Sequence, residues 1–191
     1  MTHAISAVRT GAVTPHETAR WDADTALEQL YVAHWRGLVR LAVLLLRDQG
    51  AAEEVVQDAF VAMHLRWRSL RDPDKALAYL RQAVVNRSRS ALRHRGVVER
   101  YVARQQPALS VADPADASAL VRDRRDAVLD ALRALPTRQR EVLVLRHYLE
   151  LSETEIADTL GISRGSVKAH ASRGTAALRT LLTRAHDGKD L

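Results

Sequence analysis

Hydrophobic and polar positions repeat with the period of an α-helix along most of this chain. The helical pattern runs from about Ala26 to Arg104, and again from about Ala119 to Ala185. Sustained alternation of apolar and polar residues, the mark of a half-buried strand, is nearly absent. The pattern therefore predicts an all-α protein.

The helical pattern falls into two small domains joined by a flexible linker. Residues 105–118 contain two prolines, two aspartates and no basic residue, which is typical of a tether. We expect a mobile tail at 1–24, a first domain at 25–104, the linker at 105–118, a second domain at 119–185 and a tail at 186–191. Within the first domain, "RDQGAA" and "SLRDPDKA" carry turn residues and predict breaks between helices.

The second domain contains the pattern of a helix-turn-helix in "LSETEIADTLGISRGSVKAHASRG". Ser152 and Glu155 have the spacing of a capping box, which starts a helix by satisfying free backbone N–H groups. Gly161 suits the left-handed conformation that ends that helix, and Ser163 can cap the next one. A short helix, a glycine turn and a second helix predict a DNA-binding unit.

The outward face of the second helix indicates how that unit would bind. At about 100° per residue, Ser166, Ala169 and Arg173 cluster away from the apolar side. Small and basic side chains there would let the helix enter a major groove, while Lys168 is better placed for a phosphate. The other interpretation is the solvated face of a packing helix. The candidate DNA-binding residues are Arg164, Ser166, Lys168, His170 and Arg173.

In the first domain, "AEEVVQDAF" predicts a helix with an acidic outer side. Its apolar positions form one stripe: Ala52, Val55, Val56, Ala59, Phe60, Met63 and Trp67. The opposite side carries Glu53, Glu54, Gln57, Asp58 and Val61. Such acids either complement the positive end of the helix dipole or form a surface for a basic protein partner.

A later helix of the first domain has the opposite charge. Leu77, Leu80, Val84 and Ala91 predict its buried side, and Gln82, Asn86, Arg89, Ser90 and Arg93 lie together on another side. Six arginines and one glutamate between residues 86 and 104 give a local net charge of +5. This surface is either a solvated face or a site for nucleic acid.

Composition narrows the possible partners and excludes some chemistry. The net charge of +6 and the pI near 10.3 favour nucleic acid first and a membrane surface second, or a basic protein with neither partner. The chain has no cysteine, so disulfides and cysteine zinc sites are excluded. The eight histidines are scattered, and neither a phosphate loop nor a catalytic carboxylate pair occurs. We therefore expect no metal, no cofactor and no enzymatic activity.

The chain shows no segment expected to enter a membrane. The most apolar run, Leu38 to Leu46, contains Arg40 and is far too short to span a bilayer. The first twenty residues lack the apolar core of a signal peptide. We expect a cytoplasmic protein without membrane insertion.

Together these motifs resemble the extracytoplasmic-function sigma factors, which are promoter-specificity subunits of bacterial RNA polymerase. "AEEVVQDAF" resembles their polymerase-binding helix, and "AYLRQAVVNRSRSALR" resembles the helix that reads the minus-ten promoter element. "LPTRQREVLVLRHYLELSETEIADTLGISRGSVKAHASRG" resembles their minus-thirty-five domain. The resemblance covers about Thr25 to Arg95 and about Asp126 to Thr183.

This resemblance implies partners and residue roles. Core RNA polymerase and promoter DNA would be the partners, and an anti-sigma factor is a further candidate. Polymerase would meet Glu54, Gln57 and Asp58, and the minus-ten element would meet Asn86, Arg89, Ser90 and Arg93. The loop from Ser69 to Lys75 would hold a flipped base, whereas Trp67 lies on the apolar stripe and is expected to pack in the core. In the tether, Asp113 and Asp116 would lie near the RNA exit path.

Two departures and two alternatives accompany the resemblance. His170 and Ala171 stand where many members carry arginine and a larger apolar residue, which leaves the minus-thirty-five preference open. A regulator that binds duplex DNA by itself could share the helix-turn-helix. A DNA-processing enzyme could also carry one, but it would need a catalytic constellation that the sequence lacks.

Overall fold

The computed structural model describes residues 15–70, 72–103 and 119–187. In chain order its helices are α1 (Pro15–Leu46), α2 (Gln49–Arg66), α3 (Ala76–Ala103), α4 (Ala119–Ala134), α5 (Thr137–His147), α6 (Glu153–Leu160) and α7 (Arg164–Asp187). Two single 3₁₀ turns, Trp67–Ser69 and Pro73–Lys75, lie between α2 and α3. These ranges contain no strand, so the all-α prediction is confirmed.

Helix α1 starts earlier than the apolar pattern predicts. It begins at Pro15, whereas the pattern places the start near Ala26. Proline suits the first turn of a helix, and extending a helix that already exists costs little free energy. Residues 1–14 of the expected tail lie outside the described residues.

The turn between α1 and α2 lies at the predicted break. Arg47 adopts a left-handed conformation with a φ of 55°, and its N–H donates to the carbonyl of Val43 at 2.7 Å. The Asp48 carboxylate then caps α2 by accepting the N–H of Ala51 at 3.0 Å. Its other oxygen accepts from Nη2 of Arg95 at 2.7 Å, which ties α3 to the start of α2.

The predicted stripe of α2 is confirmed in full, and that of α3 only in part. All six apolar positions of α2 from Ala52 to Met63 are buried, and Trp67 packs against the core. On α3, Leu80 and Val84 are buried as predicted. Leu77 and Ala91 are only half-buried, while the residues missed, Val85 and Ser88, are fully enclosed. Helix α3 contacts α1, α2 and α6, and these tertiary neighbours cannot be read from its own periodicity.

The second helical region is built around the predicted helix-turn-helix. Both bonds of the capping box between Ser152 and Glu155 are present, and Gly161 ends α6 with a φ of 64°. On α7, Val167, Ala171 and Gly174 are buried. A Cβ atom at Gly174 would lie 3.2 Å from Cδ1 of Leu143. Helices α5 and α7 therefore pack so closely at Gly174 that a side chain there would crowd Leu143.

The two helical regions also pack against each other, which the sequence did not predict. We call α1–α3 the N-terminal region and α4–α7 the C-terminal region. Their buried apolar residues form one continuous cluster. Across the boundary, Nη1 of Arg140 donates to the carbonyl of Leu45 at 2.9 Å, and the hydroxyl of Tyr148 donates to the carbonyl of Gly37 at 3.2 Å. The expected linker, with Asp113 and Asp116, lies outside the described residues.

Candidate functional site

The acidic face of α2 is exposed along its length. This face comprises Glu53, Glu54, Gln57 and Asp58. Glu53 accepts from Nε2 of Gln49 at 2.6 Å, and among the described residues Glu54 and Asp58 form no ion pair. The next two turns of α2, after Asp58, carry two exposed apolar side chains: Val61 is 54% exposed and Leu65 is 78% exposed. The face thus offers unpaired negative charge beside apolar surface, as a docking surface for a basic protein does.

The acidic face borders a groove whose other wall is α3. The groove has a volume of about 660 Å³, and its walls include Glu54 and Asp58 from α2 with Asn86 and Ser90 from α3. Nη2 of Arg87 donates to the backbone carbonyl of Asp58 at 3.1 Å and joins the two helices. The acidic and basic surfaces that the sequence placed on different helices therefore meet along one groove.

The α3 residues expected to meet the minus-ten element are Asn86, Arg89, Ser90 and Arg93. We call them the minus-ten face. Asn86, Ser90 and Arg93 are exposed, and Arg89 is half-buried. Nη1 of Arg89 donates to Oδ1 of Asn86 at 3.3 Å, and Nη2 of Arg93 donates to Oγ of Ser90 at 3.1 Å. These bonds join residues three apart on the helix, so each arginine is held beside its polar neighbour.

Arg89 has a partner that the sequence did not indicate. Its Nε donates to Oε1 of Glu141 at 2.9 Å and its Nη2 donates to Oε2 at 3.0 Å, a bidentate pair between α3 and α5. Glu141 is only 2% exposed and also accepts from Nη1 of Arg138 at 3.2 Å. The sequence carried one signal of this ion pair: Glu141 directly precedes the apolar run "VLVL". A carboxylate that is buried with such a run needs a charged or hydrogen-bonding partner.

The loop from Ser69 to Lys75 faces the C-terminal region. Within it, the Asp72 carboxylate accepts the N–H of Asp74 at 3.1 Å and pairs with Nζ of Lys75 at 3.2 Å. Leu70 and Lys75 line one side of a cleft of about 320 Å³, and α6 lines the other with Glu155 and Asp158. Residue 71 of this loop lies outside the described residues.

The predicted DNA-binding residues of α7, which we call the reading face, differ in exposure. Arg164, Lys168 and Arg173 are exposed, whereas Ser166 and His170 are half-buried. The N–H of Ser166 donates to Oγ of Ser163 at 3.1 Å, which confirms Ser163 as the cap of α7. Nζ of Lys168 lies 3.8 Å from the Glu153 carboxylate. The reading face thus presents two exposed guanidinium groups, those of Arg164 and Arg173.

The pKa values of two carboxyl groups are shifted by the bonds that begin helices. The hydroxyl and the N–H of Ser152 both hydrogen-bond to Glu155 and hold the pKa of that carboxyl below its usual range. The N–H of Ala51 lowers the pKa of Asp48, burial opposes this effect, and Arg95 lowers it further. The hydrogen bonds that lower these two pKa values also stabilise the starts of α6 and α2.

The described residues contain neither a metal-binding cluster nor a helix that could cross a membrane. No group of three or more metal-binding side chains gathers in 15–70, 72–103 and 119–187. In the same ranges, no helix is long and apolar enough to cross a membrane.

Comparison with known proteins identifies both helical regions. Residues 30–108 match the family described as "Sigma-70 region 2", and residues 125–178 match "Sigma-70, region 4". The chain is 36% identical over 142 residues to "RNA polymerase sigma-E factor" of Streptomyces avermitilis, covering 74% of this chain and 76% of that protein. It is 32% identical over 160 residues to "ECF RNA polymerase sigma factor SigM" of Mycobacterium tuberculosis, covering 82% and 77%.

A solved structure agrees with these sequence matches. The sigma factor RpoE of Bartonella quintana, in complex with the anti-sigma factor NepR, superposes with a TM-score of 0.65 at 26% identity. The superposition covers 82% of this chain and 96% of that one.

Two helical regions of the sigma-70 type, one with a helix-turn-helix, define a promoter-specificity subunit. The chain belongs to the extracytoplasmic-function sigma factors of RNA polymerase. Its function is to direct RNA polymerase to promoters, and the interpretation as an independent helix-turn-helix regulator is not favoured. Sigma factors are not themselves catalytic enzymes.

Proposed function

We propose that three surfaces of this chain divide the work of promoter recognition. The acidic face, through Glu54, Gln57 and Asp58, binds a basic surface of core RNA polymerase. The minus-ten face and the reading face contact the two promoter elements. The observation that carries the proposal is the groove in which α2 carboxylates oppose α3 amide and arginine groups, since one region then contacts a protein and DNA side by side.

We further propose that the loop from Ser69 to Lys75 helps to open the DNA. An unstacked base held at this loop would favour the melted state by binding energy alone, without hydrolysis or a cofactor. Exposed Lys75 beside Leu70 offers a charge for a phosphate and an apolar contact for a base. The chain would then act without enzymatic activity of its own, in the cytoplasm, where the polymerase works.

An anti-sigma factor is the further partner that we propose. The Bartonella quintana relative was solved with the anti-sigma factor NepR. In this chain, exposed Val61 and Leu65 continue the acidic face, and a protein that covered them would also prevent polymerase from docking.

Transcription with purified components tests the proposal. Core polymerase and a library of randomised promoter fragments are combined with and without the chain. Defined transcripts should appear only when the chain is present. Tight binding of the chain alone to a specific duplex, with no association with core polymerase, would instead support the regulator.

A further inference from the structure

We propose that the cavity between α5, α6 and α7 binds a phosphate of the DNA backbone, and that Glu153 limits how tightly the phosphate is held. The inference rests on the proposed role of the reading face and adds a residue that opposes DNA binding. Glu153 competes with the phosphate for two of the cations in the cavity.

The chemistry of the cavity fits a phosphate group. Its volume is about 400 Å³, and three cations, one carboxylate and two hydroxyl groups line it, which gives a local net charge of +2. Guanidinium, ammonium and hydroxyl groups all donate to phosphate oxygens. The residues that carry these groups are Arg146, Glu153, Lys168, Ser172, Thr175 and Arg179.

The α7 wall of the cavity runs beside the reading face. Lys168, Ser172, Thr175 and Arg179 recur every three or four residues, so they form one exposed stripe along the helix. At about 100° per residue, this stripe is turned roughly 120° from the outward cluster that contains Arg173. A helix in the major groove has bases beneath it and phosphates along its flanks. The stripe therefore faces a DNA backbone when the reading face meets base edges.

Glu153 lies where it opposes a phosphate in this cavity. Its Oε1 accepts from Nη2 of Arg146 at 2.9 Å, and its Oε2 lies 3.8 Å from Nζ of Lys168. The Glu153 side chain is only 24% exposed, so water and salt screen its charge less than that of a fully exposed acid. A phosphate bound to both cations would come close to this carboxylate and would be repelled by it.

Glu153 also has a structural role, which the experiment has to separate from the proposed one. It lies in the first turn of α6, where a negative charge complements the helix dipole. The capping box of Ser152 and Glu155 does not involve Glu153, so the helix keeps its cap without it. Loss of the dipole interaction would change stability. It would not change the salt dependence of DNA binding, which reports the number of phosphate contacts.

Binding of duplex DNA at several salt concentrations tests the proposal. The full chain and its Glu153→Gln variant are titrated into two fluorescent duplexes of unrelated sequence, between about 50 and 200 mM potassium chloride. At the lowest salt the variant should bind both duplexes about fivefold more tightly. Its slope of log affinity against log salt should be steeper by about one, because about one more phosphate contact forms. A gain on only one duplex, an unchanged slope or no binding by either protein would overturn the proposal.

A matched control separates the cavity from a general effect of charge. Glu150→Gln makes the same chemical change three positions away, at an exposed residue that forms no ion pair within the described part of the chain. It should leave the salt slope near that of the wild type. An equal gain in both variants would show that any lost acid suffices and would overturn the role of Glu153.

Two further variants test the other walls of the cavity. Arg146→Gln combined with Glu153→Gln should lose most of the gain, since one of the two released cations is then missing, and a full gain would overturn the part played by Arg146. Ser172→Ala with Thr175→Ala changes only exposed hydroxyl groups and keeps the acid of α6 in place. It should fold normally by circular dichroism and bind DNA about twofold more weakly, and unchanged affinity would overturn the phosphate site.

A free phosphate compound is the other source of the same chemical group. Pyrophosphate at matched ionic strength should leave the Tm of the chain unchanged if the cavity serves DNA. A rise in Tm that Arg146→Gln abolishes would assign the cavity to a small ligand and overturn the proposal. Promoter-specific transcription with core polymerase reports the proposed function independently, so the chain could pass that test and still fail these.

Discussion

The two proposed DNA surfaces of this sigma factor have similar chemistry and differ in how one arginine of α3 is engaged. On α3, Arg89 is held in a bidentate ion pair and Asn86 is bonded to the same guanidinium. On α7, Arg164 and Arg173 are exposed, and within the described residues neither forms an ion pair. Arg93 lies on the same face of α3 as Arg89 but is exposed and forms no ion pair among the described residues. Contact with the other region therefore decides whether a given arginine is paired.

The two regions also place their carboxylates differently. The N-terminal region carries Glu54 and Asp58 outward on α2, where a basic partner can reach them. The C-terminal region buries Glu141 between Arg89 and Arg138. Outward acids are free to recruit another molecule, whereas the inward acid is already used within the chain.

The largest expected effect concerns the outward acids. Gln57→Lys with Asp58→Lys should weaken binding to core polymerase about a hundredfold or more, because opposed like charges at an interface cost several kcal/mol. The fold should persist, since both side chains are exposed. Pull-down with core polymerase measures the effect.

The chain offers a matched control for that variant. Glu28 and Gln29 on α1 are an adjacent, exposed pair of the same kinds of residue, so Glu28→Lys with Gln29→Lys makes the same change in charge. It should leave polymerase binding near the wild-type level. Equal loss in both variants would reject the acidic face as the docking surface.

The next effect concerns the accessible arginines of α7. Arg173→Ala should cost about 1–3 kcal/mol on matched upstream elements and should relax preference at one base position. Lys168→Ala should weaken binding to every sequence to a similar, smaller extent, as expected for a phosphate contact. Transcription from promoters with single-base changes separates the two patterns. Uniform loss for Arg173→Ala would place that side chain on the DNA backbone.

A smaller effect compares two glycines, one in each region. Gly161→Ala should destabilise the chain by about 1 kcal/mol and lower Tm by about 2–4 °C, because its φ of 64° is unfavourable for a residue with a Cβ. Gly96→Ala on α3 should stabilise it slightly, since the added methyl group meets no atom within 4 Å and alanine favours a helix. Thermal unfolding should show opposite signs, and equal signs would contradict this account of the turn.

The smallest effect is the pH dependence of the Asp48 cap. The N–H of Ala51 lowers the pKa of Asp48, so this carboxyl stabilises the fold above its unfolded pKa and loses that contribution as pH falls through the folded pKa. Asp48→Asn should change the free energy of unfolding by only a few tenths of a kcal/mol at neutral pH, since asparagine also caps well. Urea unfolding should show the difference shrinking below about pH 3.8, and a constant difference would exclude the cap as its cause.

Local features of this chain could be predicted because each follows from neighbours in sequence. The α2 stripe repeats at helical spacing, and the Ser152–Glu155 capping box and Gly161 are contained within ten residues. The exposed positions of the acidic face follow from the same spacing. Their roles toward polymerase remain predictions.

Contacts between distant residues could not be predicted in this way. Arg89 and Glu141 are 52 positions apart, and no periodicity links them. Ser88 and Val85 are fully enclosed in a packing where α3 contacts α1, α2 and α6, which only the tertiary arrangement reveals. The half-buried state of His170 similarly depends on how α7 lies against the rest of its region.

Gly174 has a consequence for the alignment of the reading face. A methyl group at this position would lie 3.2 Å from Cδ1 of Leu143 on α5, so either that side chain or α7 would have to shift by a few tenths of an ångström. Arg164 lies ten residues away on the same rigid rod, about 15 Å along the axis. A small tilt at Gly174 would therefore displace Arg164 farther than it displaces Gly174 itself, so the absence of a side chain at this position bears on the direction of the proposed DNA-binding end of α7.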